Sequence, residues 1–289
     1  MSKKIIIASD STADLSPALL EKYGIIILPL MVSLGENLYF DGVDIDSEKI
    51  YAHYAETGEL PKTSAINSAD FDEFFEKHTA DGSEMVFFTI SSDMSSTYAN
   101  ARISAEKFSG VHLVDSGNLS TGVGLLVLAA AEMANEGLEA SEIAKRCSVL
   151  SANVDASFIV DDLEFLHKGG RCSAVAAFGA NLLQLKPCIT VKGGKMSVGK
   201  KYRGKFAAVL EKYIEERIVD GSDIDMHRVF VTHAGCDSSI VESCAKLVSR
   251  LAPFEEVIIT QAGATISSHC GRNTLGVLFI RKTPIEIGE

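Results

Sequence analysis

The sequence lacks an excess of positive charge, and this absence excludes two classes of partner. Its 289 residues carry 27 basic and 39 acidic side chains, which gives a formal net charge of −12. Proteins that bind nucleic acid or an anionic membrane through their overall charge are normally basic. No apolar run reaches the length of a membrane span. We therefore expect neither nucleic-acid binding nor stable membrane insertion.

Paired cysteines and an export signal are also missing. The six cysteines lie between positions 147 and 270, without the spacing of a disulfide framework or a zinc finger. The apolar run near the amino terminus is shorter than the core of a secretory signal, and Asp10 follows it at once. These features predict a cytoplasmic protein with free thiols and no metal site.

Several short motifs of well-known enzymes are absent as well. The sequence contains no Walker P-loop and no GxGxxG fingerprint, which disfavours a nucleotide ligand. It contains no GxSxG elbow, which disfavours the commonest arrangement of a serine hydrolase. It also has no Pro/Gly-rich linker and no internal repeat, so a domain boundary must be inferred from the order of strands and helices.

That order changes midway along the chain. In the first half, apolar runs such as Lys4 to Ala8 alternate with segments of helical periodicity, which predicts a parallel α/β sheet. The second half adds a hairpin signal at Gly193-Gly194 and predicts an α+β domain with a mixed sheet. With the boundary near Val154, we predict an N-terminal α/β domain over 1–153 and a C-terminal α+β domain over 154–289.

Hydroxyl-rich segments follow the predicted strands of the first half. Three strand ends read "SDSTADL", "SSDMSSTY" and "DSGNLSTG", and a fourth group, "KTSAINS", also precedes a helix. Ser, Thr and Asp are the usual helix N-caps, so capping explains any one group alone. The carboxyl ends of parallel strands meet at one edge, where helix N-termini present free N–H groups. Four groups together therefore favour a site for a small anion, either a phosphate or a carboxylate.

Seven motifs follow one another across nearly the whole chain: "DSTADLS", "KTSAIN", "ISSDMSSTY", "VDSGNLSTGVG", "LEFLHKGGRCS", "KPCITVKGGKMSVGKKYRGK" and "HCGRNTLGVLF". Their order and spacings resemble the DegV family of bacterial lipid-binding proteins. The resemblance implies a two-domain α/β protein that encloses one long-chain fatty acid and uses no other cofactor. It also implies a non-catalytic subunit that presents the acyl carboxylate to a separate ATP-dependent fatty acid kinase.

The same resemblance implies ligand-binding roles for four hydroxyl residues. Thr63 matches the threonine of the family's Thr-Ser motif, and Ser64 is its neighbour. Ser95 matches the serine of the second cluster that holds the carboxylate, with Ser92 nearby. We therefore expect the carboxylate between these two clusters.

Basic residues complete the expected site. Arg171, in "GGR", and His269, in "SHCG", match the basic residues near the carboxylate mouth of the family. Arg203, with the neighbouring Lys201, belongs to a basic hairpin and matches a position implicated in meeting the kinase. The same hairpin is also typical of an ordinary solvated turn.

Two interpretations stay open at this point. The strand "ASFIV" and the segment "AVAAFGANLLQL" are candidates for the wall of an acyl tunnel, although both are equally typical of a protein core. The main functional alternative is a serine-dependent ester or acyl hydrolase. It would use Ser95 with His269, and Asp115 or Asp10 as the third member of a triad.

Overall fold

The structure is a computed structural model that describes residues 3–172, 175, 185–219 and 221–286. Secondary-structure elements are numbered over these residues. The strands are β1 (Ile5–Asp10), β2 (Ile26–Leu28), β3 (Met31–Leu34), β4 (Asn37–Phe40), β5 (Lys62–Ser64), β6 (Glu84–Thr89), β7 (Val111–Asp115), β8 (Val154–Val160), β9 (Lys186–Lys192), β10 (Lys195–Tyr202), β11 (Ile224–Ala234), β12 (Glu256–Gln261) and β13 (Thr274–Arg281). The helices are α1 (Pro17–Tyr23), α2 (Ser47–Thr57), α3 (Ser68–Thr79), α4 (Thr97–Ala105), α5 (Thr121–Asn135), α6 (Ala140–Leu150), α7 (Glu164–Gly169), α8 (Phe206–Ile218), α9 (Ser238–Leu251) and α10 (Ala264–Cys270).

A four-stranded sheet in the order β2-β1-β6-β7 forms the centre of the first half. All three strand pairings are parallel, which confirms the prediction for this half. The strands are apolar and buried because helices cover the sheet; α5, for example, packs on β1 and β6. Since β1, β6 and β7 are neighbours, their three hydroxyl-rich ends lie at the same edge of the sheet.

The apolar segment Ile26–Leu34 is interrupted at Pro29, and its two parts enter different sheets. Residues Ile26–Leu28 belong to the parallel sheet, whereas Met31–Leu34 is the centre of a separate three-stranded antiparallel sheet, β4-β3-β5. Thr63 and Ser64 lie on β5 of this small sheet. The fourth hydroxyl-rich segment therefore belongs to an antiparallel sheet. The alternating pattern of strands and helices in the first half does not predict this.

The second half forms a six-stranded sheet in the order β10-β9-β8-β13-β11-β12. Only β11 and β12 pair in parallel, so the mixed sheet is confirmed. Gly193 and Gly194 have φ angles of +54° and +80°, which is the primed turn expected of this hairpin. The second-half sheet begins with β8 at Val154, the predicted boundary; the division into two independently folding domains stays a prediction.

Helix α5 joins the two halves through packing. It contacts strands of the first sheet and, on its other side, β8, β11 and β13 of the second sheet. Leu125, Leu126 and Leu128 are all buried in the same apolar cluster as Phe230 and Leu278. One continuous core therefore runs from the parallel sheet through α5 to the mixed sheet.

Helix α10 is not predicted from the sequence pattern, and it lies between the two halves. This helix packs against α2, α7 and the small sheet. It brings second-half residues, including His269, to the small sheet that holds Thr63.

Candidate functional site

A cavity of about 580 Å³ lies between residues of both halves, within the roughly 300–1,000 Å³ that is usual for small-molecule sites. Its wall is largely apolar, which suits a hydrocarbon better than a sugar or a nucleotide. The apolar side chains come from the first half (Leu30, Ala65, Ile90, Met94, Ala99 and Leu119) and from the second (Phe158, Leu166, Met196, Ala234, Ala262, Ile266 and Leu278).

All of the residues predicted to bind the ligand line this one cavity. They come from four separate segments: the small sheet, the loop after β6, the loop after α7, and α10. Their convergence is a feature of the fold, and their role in binding a ligand stays a prediction. The six residues are Thr63, Ser64, Ser92, Ser95, Arg171 and His269.

Thr63 and His269 form the most closely defined contact of the polar wall. The Thr63 hydroxyl lies 2.8 Å from His269 Nε2. His269 Nδ1 is buried and has no hydrogen-bond partner among the described residues. A buried N–H without an acceptor is costly, so the proton resides on Nε2 and is donated to Thr63 Oγ1. The hydroxyl proton of Thr63 is then available to a ligand.

The backbone at Gly169 packs directly against this imidazole. A Cβ atom added at Gly169 would lie only 2.7 Å from His269 Nδ1, so a side chain there would displace the ring. Burial, with the Arg171 guanidinium as a second cause, lowers the pKa of His269 to about 4. The imidazole is therefore neutral near pH 7 and acts as a hydrogen-bonding group, while Arg171 carries the positive charge.

The serines after β6 divide into two kinds. Ser91 is buried and donates to the carbonyl of Gly194 at 2.7 Å, so it secures the hairpin turn against this loop. Ser95 Oγ accepts the N–H of Thr97 at 3.2 Å and lies 2.8 Å from the Thr97 hydroxyl, so Ser95 closes a local turn just before α4. Ser92 and Ser96 are exposed at the cavity wall. The surplus hydroxyls are therefore partly structural, and the rest face the cavity.

The hydroxyl-rich segment after β1 does not supply donors for an anion, although the sequence predicts that it would. The Thr12 hydroxyl donates to Asp10 at 2.5 Å, and the Ser11 hydroxyl donates to Asp41 at 2.9 Å. Neither Ser11 nor Thr12 lines the cavity. This group joins protein segments to one another.

Several hydroxyl residues of the cavity wall are not among the six predicted ones, including Ser120, Thr232 and Thr265. Ser120 lies within a hydroxyl-rich motif, but nothing in its type or spacing separates it from its neighbours. Thr232 lies near the end of the buried strand β11, and Thr265 lies on the unpredicted helix α10. Only the position of α10 between the halves makes Thr265 a wall residue.

Of the two predicted tunnel segments, one is confirmed as part of the cavity wall. Phe158, in the strand "ASFIV", lines the cavity from β8. The segment "AVAAFGANLLQL" lies outside the described residues except for Val175 and Leu185, and its place in the cavity is not tested.

The family is decided by comparison of the whole sequence. The sequence model described as "Uncharacterised protein, DegV family" matches residues 4–282. The chain belongs to the DegV family. A DegV domain-containing protein of Clostridium acetobutylicum is 32% identical over 282 residues, which cover 97% of this chain and 99% of that protein.

Solved structures of other proteins share the fold. A fatty-acid-binding DegV family protein from Thermus thermophilus superposes with a TM-score of 0.88 at 30% identity, covering 96% of this chain and 99% of that one. A stearic-acid-binding protein from Eubacterium ventriosum superposes with a TM-score of 0.81 at 28% identity, covering 97% and 98% of the two chains. The resemblance read from the seven motifs and the two-domain α/β fold class are both confirmed.

The basic hairpin of this DegV protein lies beside the cavity. Met196 on β10 lines the cavity, whereas Lys201 on the same strand and Arg203 just after it are exposed and lie outside the cavity wall. Lys200 pairs with Glu216 at 2.6 Å. Among residues 3–172, 175, 185–219 and 221–286, Arg203 has no hydrogen-bond or ion-pair partner, so its guanidinium is available to another molecule.

The geometry of the DegV site does not favour the hydrolase alternative. His269 contacts Thr63 rather than Ser95, and no carboxylate of the described chain reaches its Nδ1 atom. Asp115 accepts the backbone N–H groups of Ser92 and Gly117. Asp10 is occupied by Thr12 and Ile90. A triad needs a base oriented by a carboxylate, and none is assembled here.

The part of the chain that the structure describes lacks two further features. No group of three or more His, Cys, Asp or Glu side chains there is placed to hold a metal ion. No helix there combines the length and the apolar character needed to cross a membrane.

Proposed function

We propose that this protein binds one long-chain fatty acid in the cavity, with the carboxylate at the polar wall. The observation that carries the proposal is the convergence of all six predicted residues on one largely apolar cavity of about 580 Å³. The similar solved structures support the same ligand class: the DegV family protein from Thermus thermophilus is described as fatty-acid-binding, and the protein from Eubacterium ventriosum as stearic-acid-binding.

The apolar and the hydroxyl side chains of the cavity wall suit the two ends of a fatty acid. Burying the tail of a sixteen-carbon acid gains roughly 11 kcal/mol, at about 0.8 kcal/mol per methylene, before the cost of association. A buried carboxylate opposes this gain unless hydrogen bonds replace its water. The apolar side chains from both halves supply the first requirement, and the hydroxyl residues supply the second.

The proposed contacts divide the carboxylate between two clusters. Thr63, which accepts a hydrogen bond from His269, donates its hydroxyl proton to one oxygen, and Ser95 at the N-terminal end of α4 donates to the other. Ser64 and Ser92 lie beside them in the wall. Arg171 is exposed at the mouth, where its charge favours entry of the carboxylate end.

Mass spectrometry of an organic extract of denatured protein tests the ligand class. We expect one fatty acid per chain. Thr63→Ala and Ser95→Ala each remove a donor to a charged group, which is worth about 1.5–3 kcal/mol, so fatty-acid affinity should fall roughly 10- to 100-fold.

Ser243→Ala is the matched control, because Ser243 is exposed on α9 and does not line the cavity. Its affinity should equal that of the unchanged protein. The proposal fails if several preparations contain no acyl lipid and the purified protein does not bind added fatty acid.

The proposed function includes a second protein, an ATP-dependent fatty acid kinase that phosphorylates the bound carboxylate. In this proposal the DegV chain does no chemistry. The support is the exposed basic hairpin in a chain of net charge −12, adjoining the cavity through Met196. Lys201 and Arg203 would form part of the face that meets the kinase, and their charge would steer an acidic partner surface.

Arg203→Glu tests this docking face. Acyl-phosphate formation with the kinase should fall while the lipid content of the purified protein stays the same, because Arg203 lies outside the cavity wall. Lys246→Glu reverses an exposed charge on α9 and should change neither quantity. A simultaneous fall of acyl-phosphate formation and lipid content in Arg203→Glu would show that the hairpin supports the cavity instead.

A further inference from the structure

Three buried aspartates lie behind the cavity without lining it. Asp10, Asp14 and Asp41 are 0%, 7% and 2% exposed. Their hydrogen-bond donors in the described chain are hydroxyls and backbone N–H groups, with no Lys, Arg or His among them. Buried carboxylates without a counter-charge are a cost to stability, so their presence calls for another reason.

Asp10 holds the start of the loop between β6 and α4. We call its residues 91–96 the serine loop. Its Oδ2 atom accepts the N–H of Ile90 at 2.8 Å, and its Oδ1 atom accepts the N–H of Thr12 at 3.0 Å. Ile90 follows β6, lines the cavity and immediately precedes the serine loop. Asp10 therefore sets the direction in which the loop bearing Ser95 leaves the sheet.

Asp14 and Asp41 hold the first turn of α10. Asp14 Oδ1 accepts the N–H of Gly263 at 2.8 Å. Asp41 Oδ1 accepts the N–H of Ala264 at 2.7 Å, and its Oδ2 atom accepts the N–H of Thr265 at 3.2 Å. These contacts satisfy N–H groups that a helix start leaves unpaired. They join first-half carboxylates to the second-half helix that carries His269.

The backbone around Asp14 is held in an uncommon conformation. Asp14 and Ser120 have φ angles of +49° and +52°, in the left-handed region that L residues rarely adopt. The Ser120 hydroxyl donates to Asp14 Oδ2 at 2.5 Å. Such strain persists where the surroundings over-determine it, as at sites that need rigid geometry. Ser120 itself lines the cavity, so the strained pair is continuous with its wall.

We propose that Asp10, Asp14 and Asp41 are positioning residues that hold the two halves of the carboxylate site in register. Asp10 orients the loop that carries Ser95. Asp14 and Asp41 anchor α10, and thereby set the position of His269 against Thr63. This inference rests on the proposed function, because it concerns the binding of a carboxylate at these groups.

Comparison of an acid with its alcohol distinguishes positioning from general support. Palmitate and hexadecanol share a sixteen-carbon chain, but only palmitate uses the carboxylate site. Asp41→Asn keeps one acceptor oxygen and turns an NH₂ group toward donors that are already there. We expect palmitate affinity to fall at least roughly tenfold while hexadecanol affinity stays the same.

Two other variants complete the set. Ser11→Ala removes the hydroxyl that donates to Asp41 Oδ2 at 2.9 Å, and it should shift palmitate affinity in the same direction by a smaller factor. If Asp41→Asn does not fold, the palmitate and hexadecanol affinities of Ser11→Ala test the proposal in its place. Asp237→Asn is the matched control, because Asp237 accepts the N–H of Ser239 at 2.8 Å as the cap of α9, which contributes no residue to the cavity. Its preference for palmitate should be unchanged.

Imidazole ¹⁵N spectra provide a readout that a purely structural role would not move. In the unchanged protein we expect His269 in its Nε2–H form, and in Asp41→Asn a mixture of the two tautomers. Equal losses of palmitate and hexadecanol affinity would overturn the proposal, as would an unchanged palmitate affinity. If the unchanged protein does not prefer palmitate to hexadecanol, the carboxylate site of the proposed function is wrong, whatever the variants do.

Discussion

Thr63 and His269 are separated by 206 positions, yet their side chains meet at 2.8 Å. Each residue alone is ambiguous in the sequence, since a threonine in a short strand and a histidine beside a cysteine have many structural uses. Their pairing explains the properties of both. The buried, neutral imidazole leaves the threonine hydroxyl free to donate, and the apolar surroundings strengthen that donation.

The charge state of His269 gives a residue-scale prediction. The folded pKa of about 4 lies below the value of 6.5 expected in the unfolded chain, because burial disfavours the charged ring. Stability from this residue is present above pH 6.5 and is lost as the pH falls through the folded pKa. Imidazole NMR spectra should show His269 still neutral at about pH 5.

His227 is an internal reference for that titration. It is hydrogen-bonded to Glu255 at 2.8 Å, and this contact raises its pKa above 6.5. His227 should therefore titrate well before His269 as the pH falls. A His269 midpoint at or above that of His227 would contradict the neutral imidazole at the site.

At the scale of elements, α10 shows where sequence patterns fail. Its seven residues, "ATISSHC", include three hydroxyl residues of modest helix propensity and show no clear apolar periodicity. A helix this short is unstable by itself in water. It forms because Asp14 and Asp41, distant in the sequence, accept the N–H groups of Gly263 and of its first turn.

The hairpin β9–β10 is the opposite case, because local turn chemistry predicts it. The tertiary structure adds the contact of its tip with the serine loop. A Cβ atom at Gly194 would lie 2.8 Å from Ser91 Oγ and 2.9 Å from Asp93 Oδ2. The turn therefore joins the exposed basic strand to the loop between β6 and α4.

Gly194→Ala and Gly82→Ala form a matched pair that measures this contact. Both positions have φ near +80°, at +80° and +84°, so both substitutions cost about 1 kcal/mol in backbone strain. A Cβ at Gly82 meets nothing within 4 Å. Urea denaturation should show Gly194→Ala to be less stable than Gly82→Ala by roughly 1–3 kcal/mol, since Ser91 loses its acceptor. Equal losses would show that the tip contact contributes nothing.

At the scale of the whole molecule, the two halves are joined on more than one side. Besides the core around α5, Arg228 of β11 donates to Glu132 at 2.6 Å and to Tyr23 at 3.2 Å, both in the first half. It also pairs with Glu256 at 2.6 Å. The Arg228 side chain is only 4% exposed, so breaking this network would leave a buried charge unpaired. The cavity thus lies between halves that are joined by an apolar core and by this ion-pair network.

Buried carboxylates give the whole molecule an unusual dependence on pH. Burial raises the pKa of Asp10 from 3.8 to about 6. Between these values the unfolded chain has lost the proton that the folded chain keeps. The stability contributed by Asp10 is therefore full below about pH 4 and is lost as the pH rises through 6, a change of about 3 kcal/mol. Burial also raises the pKa values of Asp14 and Asp41.

Asp10→Asn removes this titration. At each pH, the free energy of unfolding of the variant is compared with that of the unchanged protein. The loss caused by the substitution should be largest at about pH 4 and about 3 kcal/mol smaller at pH 7. Urea denaturation of both proteins at these two values measures the difference. A difference that does not change with pH would mean that Asp10 is ionised in the folded protein throughout.

What the sequence by itself determined was local and periodic. Apolar runs and turn glycines predicted the parallel sheet and the hairpin at Gly193-Gly194, because strand and turn preferences act over a few residues. Motif order predicted the family, and the match of the family model over residues 4–282 confirms it. The same motifs also named six of the residues that line the cavity, although their ligand role stays a prediction.

What only the tertiary structure decided was which distant groups meet. Sequence cannot show that Ser11 and Thr12 donate to buried carboxylates while Thr63 faces a histidine, since all are similar hydroxyl residues in similar contexts. It also cannot show that α10 forms at all. These outcomes depend on hydrogen bonds between segments up to 249 positions apart, as from Gly263 to Asp14, and such contacts exist only once the two halves have packed together.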